Sequence, residues 1–360
     1  MCTKAGLSGN FTNHSGKRTC ATTMFQSGID EQTIMSRTGH RSVQGVRKYK
    51  RPSDDQLRDI SNVLEPNCKS SKIKTENNSS DGKENEKCHI VELQSQSATS
   101  NMQIQQIQDI QLQPGNANFD IKGCTINGDK VLFTDKGNCR IIIHDSTGVH
   151  VEDIPLSAEP FGITAIDNNM VAVTFGRKQY FEIININTKE VTKRTTEGNS
   201  WGITYENGNL YMIVDGHMHG INVAIMTSSG ELFKMIPVST DFDQTEYVAV
   251  DGDSIFFTVF IPKDLVCMDV NGAVQWQFEK NIFNQPRGVT TDTLGNIFVA
   301  GFSSHNVIAV QKSGSEGSEI LNKNEGLNYP TSIYCDKTNN RLLVSNLNNG
   351  HAYLFNIVYD

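Results

Sequence analysis

Three short stretches near the start of the chain gather side chains able to handle phosphate: His14-Ser-Gly-Lys17-Arg18-Thr19, Thr38-Gly39-His40-Arg41-Ser42 and Arg47-Lys48-Tyr49-Lys50-Arg51. Cations stabilise the charge that builds on phosphate oxygens, and a tyrosine hydroxyl, with an ordinary pKa of about 10, attacks a phosphodiester only where such groups assist it. Residues 1–52 hold nine Lys/Arg against two acids, a net +7 in a chain of 360 residues and formal charge −8, so the remainder carries −15. The opening therefore suits a polyanion, while the body repels nucleic acid unless a local basic patch intervenes. Each feature also has a plain reading. Tyr49 stands at helical spacing from Val46 and fits a half-buried core position, and His14 and His40 fit turns. The 47–51 cluster fits a nuclear-import signal, a nonspecific phosphate contact or a solvated face.

Short helices must carry these groups. After the Ser15-Gly16 turn, residues 19–26 place Cys20, Met24 and Phe25 on one side and stop at Gly28. Asp30 caps a second helix with Ile34 and Met35, ending at Gly39; Ser42 caps a third, where Val43, Val46 and Tyr49 recur every three residues. Ser53 with Gln56 forms a capping-box pattern ahead of Leu57, Ile60 and Leu64. A small α-helical segment is expected over 1–66. Beyond it, residues 67–103 turn polar, with Asn77-Asn78-Ser79-Ser80-Asp81-Gly82 and alternating charges at 83–87, and are expected to form a flexible linker.

The front motifs together resemble the carboxy-terminal end of tyrosine recombinases, with the eukaryotic Crypton-type subgroup the nearest in look. In that family a His or Lys stands three residues before an Arg, a Leu/Thr-Gly-His turn follows, and the nucleophilic tyrosine lies nine residues beyond its His; His40 and Tyr49 keep that interval. The resemblance implies Tyr49 as nucleophile and His14 and His40 as phosphate donors or proton-transfer groups. The arginine position falls on Lys17, with Arg18 beside it, a departure that puts a point charge where a bidentate fork belongs. Arg41, Arg47, Lys48, Lys50 and Arg51 are the expected DNA contacts. The family's first catalytic arginine and its strand-borne lysine lie well upstream of the His motif, and only thirteen residues precede His14. The expectation is a catalytically incomplete remnant of DNA recombination and integration machinery, inactive alone.

From about residue 104 the texture changes to short apolar, β-branched strands broken by Asn, Asp and Gly, as at 130–134, 170–175, 209–214, 254–259, 296–300 and 341–345. Ahead of them recur Phe119-Asp-Ile-Lys-Gly123, Pro160-Phe-Gly162-Ile, Ser200-Trp-Gly202-Ile, Glu246-Tyr-Val248-Ala, Pro286-Arg-Gly288-Val and Pro330-Thr-Ser332-Ile. Positions 123, 162, 202, 248, 288 and 332 are spaced 39, 40, 46, 40 and 44 residues apart, a period that predicts a mainly β fold, a six-bladed β-propeller over 104–360 with four strands per blade. The last repeat reaches the chain end with three strands. Ile107, Ile110 and Leu112 are placed to supply the fourth and close the ring.

The Pro-x-Gly-Ile/Val pattern resembles NHL repeats, as in the propellers of tripartite-motif proteins. The resemblance implies a platform for protein or RNA on one face of the ring. An enzymatic reading would draw on carboxylates after the inner strands, Asp251, Asp292 and Asp336, as calcium ligands, but turn chemistry explains aspartate there without a metal. His217 and His219 flank Met218 and make two ligands at most, a weak metal pattern. Trp201, beside Gly202, fits a wedge between blades or a contact residue. Eight dispersed cysteines without a C-x-x-C pair argue for reduced thiols. No cofactor or metal is expected. With no apolar run of membrane length and no apolar signal core, the reading is an intracellular monomer, nuclear or cytoplasmic, off the membrane. Two functions stand side by side: a DNA-recombination remnant fused to a partner-binding propeller, or an interaction protein working through the propeller with no DNA chemistry.

Overall fold

The computed structural model describes residues 102–359, apart from 217–219, 240–241 and 262. The expected helices and linker of residues 1–101, with every recombinase-type position in them, lie outside the described residues. So do His217 and His219. Among the described residues no helix is long and apolar enough to cross a membrane.

Six four-stranded antiparallel sheets make up the described chain. Blade 1 is β2 (Ile121–Asn127), β3 (Lys130–Asp135), β4 (Arg140–Asp145) and β5 (His150–Pro155); blade 2 is β6 (Ile163–Ala165), β7 (Met170–Thr174), β8 (Tyr180–Asn185) and β9 (Val191–Thr195). Blade 3 is β10 (Asn199–Glu206), β11 (Asn209–Gly216), β12 (Gly220–Thr227) and β13 (Leu232–Pro237); blade 4 is β14 (Asp243–Asp251), β15 (Ser254–Ile261), β16 (Asp264–Asp269) and β17 (Val274–Phe278). Blade 5 is β18 (Pro286–Thr291), β19 (Ile297–Gly301), β20 (Asn306–Val310) and β21 (Gly317–Leu321). Blade 6 joins β22 (Pro330–Asp336), β23 (Arg341–Asn346) and β24 (His351–Tyr359) to β1 (Met102–Gln111), which comes from the other end of the described chain. The first strand of blades 1–5 lies innermost, as β22 does in blade 6.

Ring closure follows the expected scheme. β1 runs antiparallel to β24 from Met102 opposite Tyr359 to Gln111 opposite His351. Ile110 and Leu112 are each 1% exposed and fill the wedge between blades 6 and 1. Ile107 departs from expectation: a register shift between Gln106 and Gln108 inserts it as an extra residue, and it lies exposed.

Six apolar clusters fill the six wedges, each shared by two neighbouring blades. Middle strands therefore meet apolar surface on both faces, which is why β15 reads Ser-Ile-Phe-Phe-Thr-Val-Phe-Ile rather than alternating. Phe133, Phe181, Phe256, Phe257, Phe278, Phe298 and Phe355 are fully buried there, and truncating any one to Ala costs about 3–5 kcal/mol. Outer strands such as β9, Val-Thr-Lys-Arg-Thr, face water along most of their length.

Candidate binding face

The strands of each blade alternate in direction, so one face of the ring carries the loops that enter the inner strands and those between second and third strands. We call it the upper face. The lower face carries the hairpins between first and second and between third and fourth strands.

The inner strands approach one another backbone to backbone at the axis, and this fixes the repeated glycine. A Cβ on Gly202 would sit 2.4 Å from the Glu246 carbonyl oxygen, and one on Gly288 would sit 2.8 Å from the Ile333 nitrogen. Second-strand hydroxyls tie three of the six wedges at the same level: Thr134 donates to the Phe161 carbonyl at 2.6 Å, Thr174 to that of Trp201, and Thr258 to that of Arg287 at 2.7 Å. Register shows which residue takes the glycine position in blade 4. Gly123 lies opposite Thr134 and Ser332 opposite Ser345, and in blade 4 the residue opposite Thr258 is Tyr247. Val248, aligned there from sequence, is one residue too far. The repeat is thus broken by a tyrosine whose hydroxyl crosses the ring from blade 4 to donate to the Lys122 carbonyl of blade 1 at 3.3 Å. Burial pushes this phenol above the ordinary tyrosine range. Tyr334 closes the axis from below, its phenol pushed up to about 12 by burial, and the axial space between inner strands is only about 40 Å³. The ring is plugged, with room on the axis for little more than water.

Just before the glycine position, five of the six inner strands break register: between Ile121 and Gly123, Ser200 and Ile203, Thr245 and Tyr247, Pro286 and Val289, and Pro330 and Ser332. Such bulges re-aim a side chain. The residues at this step are Lys122, Trp201, Glu246, Arg287 and Thr331, with Phe161 the counterpart ahead of β6, one per blade around the upper end of the axis. Here identity changes from blade to blade, while the neighbouring position is glycine or serine in every blade but the fourth, where it is Tyr247. Phe161 meets Trp201 edge to face at 5.1 Å and Tyr247 at 5.3 Å. Arg287 pairs with Glu246 at 3.6 Å and lies over the Phe302 ring at 4.4 Å, while Lys122 pairs with Asp120 at 2.9 Å. Of this set only Trp201 stood out in the sequence; the x of Pro-x-Gly carried the signal for the others.

On the same face, blades 3 and 4, with Arg177 from the β7–β8 loop of blade 2, enclose a depression of about 1010 Å³ whose lining also includes Asn199, Trp201, Asp215, Phe242, Thr245 and Glu246. Trp201 is half-buried, packed against the clusters on either side of blade 4, so it is both wedge and contact residue. Among the described residues its indole N–H, the Arg177 guanidinium and the Asp215 carboxylate have no hydrogen-bond or ion-pair partner. The Thr245 residue is 2% exposed, and its buried hydroxyl is likewise unpartnered.

The three aspartates weighed as calcium ligands do not converge. Asp292 accepts from the backbone N–H of Leu294 and Asn296, the Asn296 amide and the Tyr359 hydroxyl. Asp336 accepts from Thr338 and Asn339 and pairs with Arg341 at 2.8 Å; burial works against its charge, but the Asn339 and Arg341 bonds outweigh it and hold the carboxyl below its ordinary range. Asp251 is no turn cap: it pairs with Lys312 at 2.7 Å and Lys337 at 3.7 Å. Among the described residues no group of three or more His, Cys, Asp or Glu stands where it could hold a metal ion.

No protein-family model matches the sequence, and no curated protein matches it. Solved structures do share the fold. A protein of unknown function from Bacteroides thetaiotaomicron is 13% identical, with TM-score 0.57 over 71% of this chain and 76% of that one. A catalytically inactive virginiamycin B lyase from Staphylococcus aureus, crystallised with quinupristin, is 16% identical, with TM-score 0.50 over 68% of this chain and 82% of that one. A chain of the nidogen/laminin complex is 14% identical, with TM-score 0.53 over 65% of this chain and 97% of that one. At such identities the likeness is one of fold alone.

Proposed function

We propose that the propeller is a protein-binding platform working through its upper face. The observation that carries this reading is the depression between blades 3 and 4, where a half-buried tryptophan, a guanidinium, a carboxylate and a threonine hydroxyl stand without partners of their own. A half-buried Trp and an exposed Arg are the residue types that anchor protein partners. The variable bulge residues beside a position that is glycine or serine in five of the six blades support it, as does the resemblance of the repeat to NHL propellers. The fold neighbour in the nidogen/laminin complex is itself part of a protein–protein assembly. RNA is the poorer fit, because residues 199–280 hold eleven Asp/Glu against three Lys and no Arg.

A photo-crosslinking amino acid placed at position 177, on the rim, tests the reading against one at exposed Val149 on the lower face. Adducts that resist ribonuclease and yield to protease, formed from 177 and absent from 149, are the expected result. Ribonuclease-sensitive adducts, or equal labelling from both positions, would overturn it.

The DNA reading of the front segment stands on its motif spacing. In that reading Tyr49 attacks phosphate with Lys17, Arg18, His14 and His40 as charge-stabilising groups, and the 41–51 cations hold the duplex. Trapping on nicked DNA, compared with Tyr49→Phe, tests it: a Tyr49-dependent adduct supports the attack, and salt-sensitive binding without one leaves the segment a DNA contact only.

A further inference from the structure

Resting on the platform reading, we infer that the depression between blades 3 and 4 receives a partner segment presenting a single arginine or lysine, seated between Trp201 and the Asp215 carboxylate. Charge comes first. Blades 3 and 4 are the acidic part of the ring, and Asp215 has no cation of its own among the described residues, whereas Glu246 on the same lining is already shared with Arg287 at 3.6 Å. An indole beside a free carboxylate is a favourable seat for a guanidinium or ammonium, which takes the ring face on one side and the anion on the other.

The buried Thr245 hydroxyl gives an independent indication. It lines the depression with its hydrogen-bonding capacity unspent, a state that costs free energy until a ligand group or water meets it. The Asn199 amide, also on the lining, is a further acceptor and donor for backbone. Arg177 restricts the ligand: an exposed, unpaired guanidinium on the same rim repels a run of cations and favours a carboxylate or carbonyl next to the seated charge. The segment is therefore one cation flanked by polar or acidic residues, not a polybasic tail.

The full chain carries two tryptophans, so Trp276→Phe leaves Trp201 as the only indole reporter. The probes are an acetylated peptide amide of sequence Gly-Ser-Gly-Arg-Asp-Gly-Ser-Gly, its counterpart with Ala for Arg, and a decauridylate. A saturable change in Trp201 emission with the arginine peptide and none with the other two is expected. Asp215→Asn should weaken that binding about fivefold and Thr245→Val about twofold, while Asp253→Asn, the same charge change on the lower face, should leave it nearly unaltered. Equal binding of the alanine peptide, equal loss from Asp253→Asn and Asp215→Asn, saturable binding of the decauridylate, or no response to the arginine peptide at millimolar concentration would each overturn the inference. If the position-177 crosslink to protein survives such a result, the cation assignment falls and the platform stands; if that crosslink also fails, both fall.

Discussion

The two faces of the ring use the same residue types differently. Below, three turn aspartates are consumed by their own turns: Asp145 accepts from the Thr147 and Val149 backbone, Asp269 from Asn271 and Ala273, and Asp292 from Leu294 and Asn296, each turn closing on a glycine at positive φ. Above, Asp215, Arg177 and the Trp201 indole line an open depression with no partner among the described residues. Two backbone donors within four residues hold these three aspartates in their turns, whereas Asp215 has none among the described residues. The upper loops that enter blades 1, 2, 5 and 6 are longer than the lower hairpins, and binding capacity collects on loops held by a rigid scaffold.

The largest effect should come from breaking a lower carboxylate. Asp292 is 1% exposed, and its removal strands two backbone N–H groups, the Asn296 amide and the Tyr359 hydroxyl, so Asp292→Ala should cost about 3 kcal/mol in urea unfolding. Asp215→Asn, above, should stay within about 0.5 kcal/mol. Equal costs would erase the contrast between the faces.

Two glycines sharpen it next. Gly202 near the upper rim has no room for a methyl group, with the Glu246 carbonyl oxygen at 2.4 Å and Tyr247 Cα at 2.8 Å, while Gly208 in a lower hairpin has open space but φ of +85°. Overpacking should cost Gly202→Ala about 2–3 kcal/mol, and left-handed strain should cost Gly208→Ala about 1 kcal/mol, read as thermal midpoints. A reversed order would mean that the axial contact relaxes freely.

A smaller effect concerns pH. His144 in blade 1 is fully buried, has its Nδ1 3.0 Å from the Gly148 carbonyl oxygen and leaves Nε2 without a partner. Burial lowers its pKa, with the nearby His150 adding to the shift and Asp145, Asp153 and the Gly148 bond opposing it. The unfolded chain therefore takes up the proton first, so this contribution to stability is intact above about pH 6.5 and is lost progressively as pH falls through the folded pKa. His144→Gln should flatten that slope of thermal midpoint against pH; an unchanged slope would assign it to other groups.

Much of the architecture could be read from the chain because the repeat is physical. Inner strands need a small residue where backbones meet, so Gly123, Gly162, Gly202 and Gly288 mark the period, and the missing fourth strand of the last repeat forced Ile110 and Leu112 into place. Spacing alone could not detect that blade 4 replaces the small residue by Tyr247, because a large residue there breaks the pattern being followed, and strand register was needed to see it. The upper depression was still less visible. It draws Arg177, Asp215 and Thr245 from three blades, and in sequence each is an ordinary loop or strand residue.

The smallest perturbation is chemical labelling of thiols, which leaves the fold intact. Cys124 and Cys335 are buried in wedges, and burial pushes both thiols up to about 12; Cys267, also buried, rises to about 11. The thiolate is the nucleophile, so these three should resist iodoacetamide at pH 8 both for lack of access and for lack of ionisation. Cys139 differs: it is half-buried, lies in the upper loop between β3 and β4 and takes φ of 50°. Mass spectrometry of the native chain should find Cys139 alkylated and the other three propeller cysteines labelled only after denaturation. Early labelling of Cys124 or Cys335 would show that the wedge between blades 6 and 1, or that between blades 5 and 6, opens more readily than its packing implies, and the β1–β24 seam would then be the weak point of the ring.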